Sequence, residues 1–201
     1  AYLPNALTGV RLRLSIYGGM REDQEVRIEN ELKGLHTILG DIIYSDKDDT
    51  LESAIGEILK ATGKTLSTAE SCTGGMISSL ITSVPGSSEY FLGSVTSYAN
   101  SVKENVLGVP SKIIEEYGAV SSECVSAMAE GVRRLTGSDY SVATSGIAGP
   151  GGGSDQKPVG TVWIGVSSHM GTETFSLKFN SDRKRNIERF SSSALHILLK
   201  R

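Results

Sequence analysis

The stretch KTLSTAESCTGGMISSLITSVP, Lys64 to Pro85, decides what kind of fold this chain can have. Its opening residues, Lys64 to Ala69, read as a short strand. Glu70 to Gly74 form a turn, and Gly75 to Val84 read as a helix that Pro85 ends. A strand that passes through a tight glycine turn into a helix is a unit of α/β architecture.

The same alternation continues outward in both directions. Before the stretch, Leu51, Ile55, Ile58 and Leu59 recur at helical spacing and Gly63 stops the helix. After it come a strand over Gly93 to Ala99, a short helix to Leu107, and a helix from Pro110 to Tyr117. Ser121 is placed to cap a helix that runs to Leu135. Tyr140 to Ser145 and Thr161 to Ser168 read as strands on either side of a glycine loop. Thr172 to Phe179 completes a hairpin across HMG, and Ser181 is expected to cap a last helix to about Leu199. Alternating strands and helices with a final hairpin predict a three-layer α/β/α domain with a mixed sheet.

The first fifty residues differ in character. They hold 6 of the 20 Lys/Arg and 9 of the 23 Asp/Glu, but only 5 of the 23 glycines. VRLRLSIYGG alternates apolar and polar residues, the period of a strand, and EDQEVRIENELKGLHTIL reads as a helix. One strand and one helix cannot close a core, so this part is expected to pack on something else, including a second copy. The acidic run Ser45 to Thr50 reads as the linker, dividing the chain at 1–45 and 46–201.

Composition excludes several classes. A net charge of −3 gives no bulk attraction to nucleic acid or to an anionic membrane. The apolar runs are far shorter than a membrane span, and AYLPNALTG lacks the pattern of a signal peptide. Two cysteines make no disulfide framework, which points to a reducing cytoplasm.

Three stretches carry candidate chemistry. In TAESCTGG, backbone N–H groups of the turn face whatever sits above the following helix, and Gly74 and Gly75 let a ligand approach the backbone. Ser71 or Thr73 could equally serve as a simple helix cap. SGIAGPGGGSDQKPVG, Ser145 to Gly160, has six glycines in sixteen residues and matches neither the P-loop nor the dinucleotide fingerprint. Ordering so much glycine is entropically costly, which favours a ligand-cradling loop. In SYANSVK, Tyr98 and Lys103 stand one residue too far apart for the Y-x-x-x-K pair of the short-chain dehydrogenases. His36, His169 and His196 neighbour none of these loops, which argues against a Ser-His-Asp triad or a His-rich metal site. A serine nucleophile would then need another base, and a lysine serves when burial keeps it neutral. Ser181-Asp182-Arg183-Lys184 fits S-x-x-K without its companion motifs and reads as a helix start, from which Arg183 could reach a phosphate.

Taken in order, AESCTGG, Y-x-N-x-x-K, GAVS at Gly118 to Ser121, and SGIAGPGGGS…KPVGTVW resemble the C-terminal domain of the CinA competence/damage-inducible family, the nicotinamide mononucleotide deamidases also known as PncC. The resemblance covers about Leu51 to Leu199. It implies hydrolysis of nicotinamide mononucleotide to nicotinate mononucleotide and ammonia, without metal or redox cofactor. It implies Ser71 as nucleophile, Lys103 as general base and Tyr98 beside them. It implies Glu70, Thr73 and Asn100 as polar groups lining the pocket, and Ser145 where relatives often carry threonine. Gly146, Gly149, Gly152 and Arg183 fall in the region of ribose and phosphate. In the mechanism this implies, N–H groups around Thr73 to Gly75 hold the oxyanion. Residues 1–45 resemble the latter half of a small KH-like domain, but without a G-x-x-G clamp and basic flanks, so RNA binding is not expected.

Overall fold

The computed structural model describes residues 1–5 and 9–201. The chain forms two compact units, Ala1–Thr50 and Leu51–Arg201.

The first unit is a two-stranded antiparallel ribbon, β1 (Tyr2–Asn5) and β2 (Gly9–Leu12), followed by helix α1 (Arg21–Leu39) and a 3₁₀ turn at Gly40–Ile42. The alternation from Val10 predicts a single strand running on to Ile16. Instead it ends at Leu12 and has a partner. Tyr2–Asn5 escapes the sequence reading because it is only four residues long and contains a proline, which normally argues against a strand. No described residue of α1 is buried within the chain.

The second unit begins with helix α2 (Leu51–Thr62), which buries Leu51, Ile55 and Leu59 on one stripe and leaves Ile58 exposed. Then follow β3 (Leu66–Glu70), α3 (Met76–Thr82), β4 (Phe91–Thr96), α4 (Asn100–Asn105), α5 (Ser111–Tyr117), α6 (Ser122–Thr136), β5 (Tyr140–Gly146), β6 (Thr161–Ser168), β7 (Gly171–Lys178) and α7 (Arg183–Leu199). The sheet order is β4-β3-β5-β6-β7. β3 is parallel to both β4 and β5, whereas β5, β6 and β7 are antiparallel. This is the three-layer α/β/α fold with a mixed sheet.

The pleat explains the layers. Ala69 and Ala143 point to the face covered by α6, where they pack with Val125, Met128, Ala129 and Val132. Gly165 lets α6 come close: a Cβ there would lie 2.8 Å from the Val125 carbonyl. The other face carries α2, α3 and α7, with Phe190, Ala194 and Leu195 fully buried. Ser121 caps α6, accepting from the Cys124 N–H at 3.1 Å. The cap of α7 is Asp182, not Ser181: its carboxylate accepts from the Arg185 N–H at 3.0 Å. Both residue types cap well, and sequence alone does not separate neighbours.

Candidate active site

β4, β3 and β5 run parallel, so their C-terminal ends share one edge of the sheet. The chain leaves β3 toward β4 on one side and returns to β5 on the other. A crevice outside the carboxyl ends at such a reversal is where open α/β sheets hold ligands. Glu70 pairs with both Thr96 and Thr144, so the residues that follow, Ser71, Ser97 and Ser145, emerge side by side.

A cavity of ≈ 230 Å³ opens there. Ser71 and Cys72 line it from the turn after β3, and Tyr98, Asn100 and Lys103 from the segment after β4. Ser145 and Gly146 contribute from the end of β5 and Ala148 from just beyond it, Ala119 and Val120 from the segment before α6, and Arg183 from α7. A larger open depression in the first unit, around Gly18, Asp23 and Arg27, gathers no nucleophile and no buried titratable group.

Lys103 is the unusual residue. It is 1% exposed, and its Nζ lies 3.1 Å from Ser71 Oγ, 2.7 Å from the Ser97 carbonyl and 3.2 Å from the Tyr98 carbonyl. No carboxylate pairs with it among the described residues. Burial pushes its ammonium down from the ordinary lysine range, while the Cys124 and Cys72 sulfurs act in the opposite direction. Nζ thus has three oxygens within reach, and a neutral amine that donates to the two carbonyls would turn its lone pair to Ser71 Oγ.

Glu70 does not line the cavity. Its side chain is fully buried and passes beneath the turn to the start of α3. Oε2 accepts from Thr73 Oγ1 at 2.7 Å and from the Gly75 and Ile77 N–H groups at 3.0 Å, and Oε1 accepts from the Ser78 N–H at 2.8 Å. Thr73 also bonds Thr144 Oγ1 at 2.8 Å and so faces inward with Glu70. The carboxylate is an internal cap that fixes the turn from below.

That cap changes which backbone groups are available. The Gly74 N–H donates to the Ser71 carbonyl at 3.1 Å, and the Gly75 N–H is held by Glu70. Neither is free for an oxyanion, contrary to the donor set around Thr73 to Gly75 expected from sequence. The Thr73 N–H has no backbone acceptor among the described residues, and the Cys72 N–H lies against its own thiol. Cys72 itself is 7% exposed, and burial pushes its thiol up to about 12, so little thiolate exists at neutral pH.

Arg183 ties the opposite rim together. Nη1 donates to the Gly149 carbonyl at 2.7 Å, and Nη2 donates to Tyr98 Oη at 3.1 Å. Tyr98 is 63% exposed, so its ring stands as a wall whose tip is pinned by the guanidinium. Ser145 Oγ donates to the Ala119 carbonyl at 2.6 Å. Gly149 joins the rim through its carbonyl, while Gly152 lies on the exposed part of the glycine loop. Gly74, Gly75, Gly149 and Gly152 are not among the lining residues. The structure thus gathers Ser71, Lys103, Tyr98, Asn100, Ser145, Gly146 and Arg183 around one cavity and turns Glu70 and Thr73 away from it.

Sequence reasoning gave no role to Ala119, Val120 and Ala148, the apolar side of the cavity. The signal was present in GAVS, which precedes a capped helix. Lys157 was also passed over; its Nζ donates to the Tyr117 carbonyl at 2.6 Å and fastens the glycine loop to the end of α5.

A family model for the CinA C-terminal domain matches residues 48–201. A CinA-like protein from Cytophaga hutchinsonii is 41% identical over 198 residues, covering 98% of this chain and 47% of that protein. One from Salinibacter ruber is 45% identical over 195 residues, covering 97% of this chain and 47% of its own length. The chain therefore spans about half the length of these relatives. Among solved structures, the competence damage-inducible protein A from Klebsiella pneumoniae superposes with a TM-score of 0.73 at 34% identity, covering 75% of this chain and 94% of that one. A competence/damage-inducible protein from Agrobacterium tumefaciens gives the same TM-score, identity and coverage.

Proposed function

The chain belongs to the CinA C-terminal domain family, and on that premise we propose that its second unit is an amidohydrolase that converts nicotinamide mononucleotide to nicotinate mononucleotide and ammonia. The observation that carries the reading is the buried, carboxylate-free Lys103 whose Nζ stands 3.1 Å from Ser71 Oγ. Burial without a carboxylate lowers the cost of the neutral amine, which is what a lysine base requires.

Neutral Lys103 takes the proton of Ser71 Oγ as that oxygen attacks the carboxamide carbon. The carbonyls of Ser97 and Tyr98 keep the amine from rotating away. The Thr73 N–H, and the Cys72 N–H once it leaves its own weakly accepting thiol, are the donors for the developing oxyanion, and one such donor is worth ~10²–10³ in rate. The ammonium formed on Lys103 then protonates the departing ammonia, leaving an ester on Ser71. Water, deprotonated by Lys103, hydrolyses the ester. Ala119, Val120 and Ala148 offer the heteroaromatic ring an apolar side, and Arg183 offers a charge to the phosphate. Cys72 is a poor rival because its thiol stays protonated. No metal or redox group has a step in this scheme.

The test is ammonia release from nicotinamide mononucleotide, with the product identified by mass, for the chain and its Ser71→Ala variant. Release by the first and not the second supports the scheme. Release by both moves the nucleophile. Binding without release by either makes the unit a nucleotide-binding module.

A further inference from the structure

We propose that the site retains its own acid product as an ion pair with Lys103, so that product release is coupled to loss of a proton and turnover is product-inhibited toward low pH. This rests on the deamidase reading and extends it to the end of the catalytic cycle.

The argument starts from the charges around the cavity. Its lining holds two basic side chains, Lys103 and Arg183, and no acidic one among the described residues. The groups facing Lys103 from each neighbouring element are the Ser71 hydroxyl and Cys72 thiol after β3, the Ser97 and Tyr98 carbonyls after β4, and the Cys124 thiol of α6. Arg183 reaches the rim through the Tyr98 hydroxyl, and Lys157 of the glycine loop acts on Cys124. Glu104 follows Lys103 on α4 but neither lines the cavity nor pairs with it among the described residues, and the oxygens of Glu70, beside Ser71, already receive Thr73, Gly75, Ile77 and Ser78. A neutral carboxamide therefore enters a site with no anion to answer its pyridinium charge.

The product reverses that situation. When water cleaves the ester, the acyl C–O bond to Ser71 breaks, Ser71 Oγ regains a proton, and a carboxylic acid is left beside a neutral amine. An ordinary carboxylic acid, pKa ~4, is a far stronger acid than an alkylammonium, pKa ~10. Its O–H bond breaks and an N–H bond forms on Lys103. The cycle thus ends with carboxylate against ammonium inside a cavity where that ammonium has no other anionic partner. An opposite charge at contact distance raises the lysine pKa, and by linkage the ligand that raises it binds with one proton. The amide substrate carries no such charge at that position.

The experiment measures the dissociation constants of nicotinamide mononucleotide and nicotinate mononucleotide for the Ser71→Ala variant across pH 5.5–9. Their ratio is used, because the phosphate titration near pH ~6 is common to both ligands. The expected result is an acid form that binds tighter at the low end, its advantage falling about tenfold per pH unit once free Lys103 is neutral. In Ser71→Ala/Lys103→Met the ratio should be flat with pH. Parent enzyme should show competitive product inhibition that strengthens as pH falls. A pH-independent ratio, or equal affinity, overturns the inference while leaving the deamidase reading intact. Absence of ammonia release by the parent chain overturns both.

Discussion

The two ends of β3 solve opposite electrostatic problems. At its N-terminal end, Asp139 accepts from Lys64 Nζ at 2.9 Å, from the Thr65 N–H at 2.9 Å and from Thr65 Oγ1 at 2.8 Å. The pair is partly open to solvent, and the lysine and its hydrogen bonds hold the Asp139 carboxyl at about 2. Some five residues away, ~17 Å along the strand, Lys103 is buried with no carboxylate, and its pKa is driven down instead. Lys64, beside its acid, is driven up. One lysine is given a carboxylate partner, which favours its charged form; the other is denied one, which favours the neutral form that a base needs. Pairing consumes reactivity, and its absence preserves it.

The most severe way to break that contrast is to remove the base. Lys103→Met should lower kcat by ~10²–10⁴, the usual share of a positioned acid–base group, while the melting temperature changes little because a buried amine is replaced by an apolar chain of similar length. Turnover at the parent rate would remove Lys103 from the mechanism. Glu70→Ala acts from the other side. It leaves the Gly75, Ile77 and Ser78 N–H groups without their acceptor, and each buried loss costs ~1–3 kcal/mol. A loss of about 3 kcal/mol in urea unfolding is expected, together with a drop in kcat as the turn carrying Ser71 relaxes. Unchanged stability would show that Glu70 does not cap the turn.

The contrast can also be sharpened by supplying the missing acid. Cys72→Asp places a carboxylate beside Lys103, as Asp139 stands beside Lys64. The lysine pKa should rise by ~1–3 units. In the proposed scheme the neutral amine is the active form, so the acidic limb of the kcat/KM profile should move to higher pH by the same amount. Activity at neutral pH should fall ~10-fold or more and recover in alkaline buffer. A lowered rate with an unmoved profile would assign the loss to packing.

The sequence is informative where chemistry is local and silent where direction matters. The strand, the glycine turn and the helix from Lys64 to Pro85 are legible because periodicity and punctuation agree, and Ser71 and Lys103 stand out by residue type and motif order. Glu70 is different. A carboxylate between a strand and a turn can face the cavity or the helix beneath it, and only the fold chooses. Which N–H groups of the turn stay free follows from that choice, so the sequence does not show that either. Asp139 meets Thr65 across 74 residues of chain, a pairing that exists only because β3 and β5 lie parallel in register. β1 was hidden by its brevity and by Pro4 in its sequence.

Asp139→Asn tests the stabilising half of the comparison. The folded-state pKa lies below the ordinary 3.8, so the contribution is fully present above that value and is lost as pH falls toward about 2. The Asp139 side chain is 34% exposed, and solvent screening reduces what the shift implies. A loss of about 1 kcal/mol is therefore expected at neutral pH. Between pH 3.8 and 2 the gap between parent and variant should narrow, because the parent is losing what the variant never had. Deamidase activity should be unchanged, since the clamp sits at the far end of the strand from Ser71. A pH-independent gap would mean that asparagine destabilises through shape alone. A fall in kcat without a fall in stability would show that the two ends of β3 communicate, and that the division between a paired lysine for stability and an unpaired one for chemistry is too sharp.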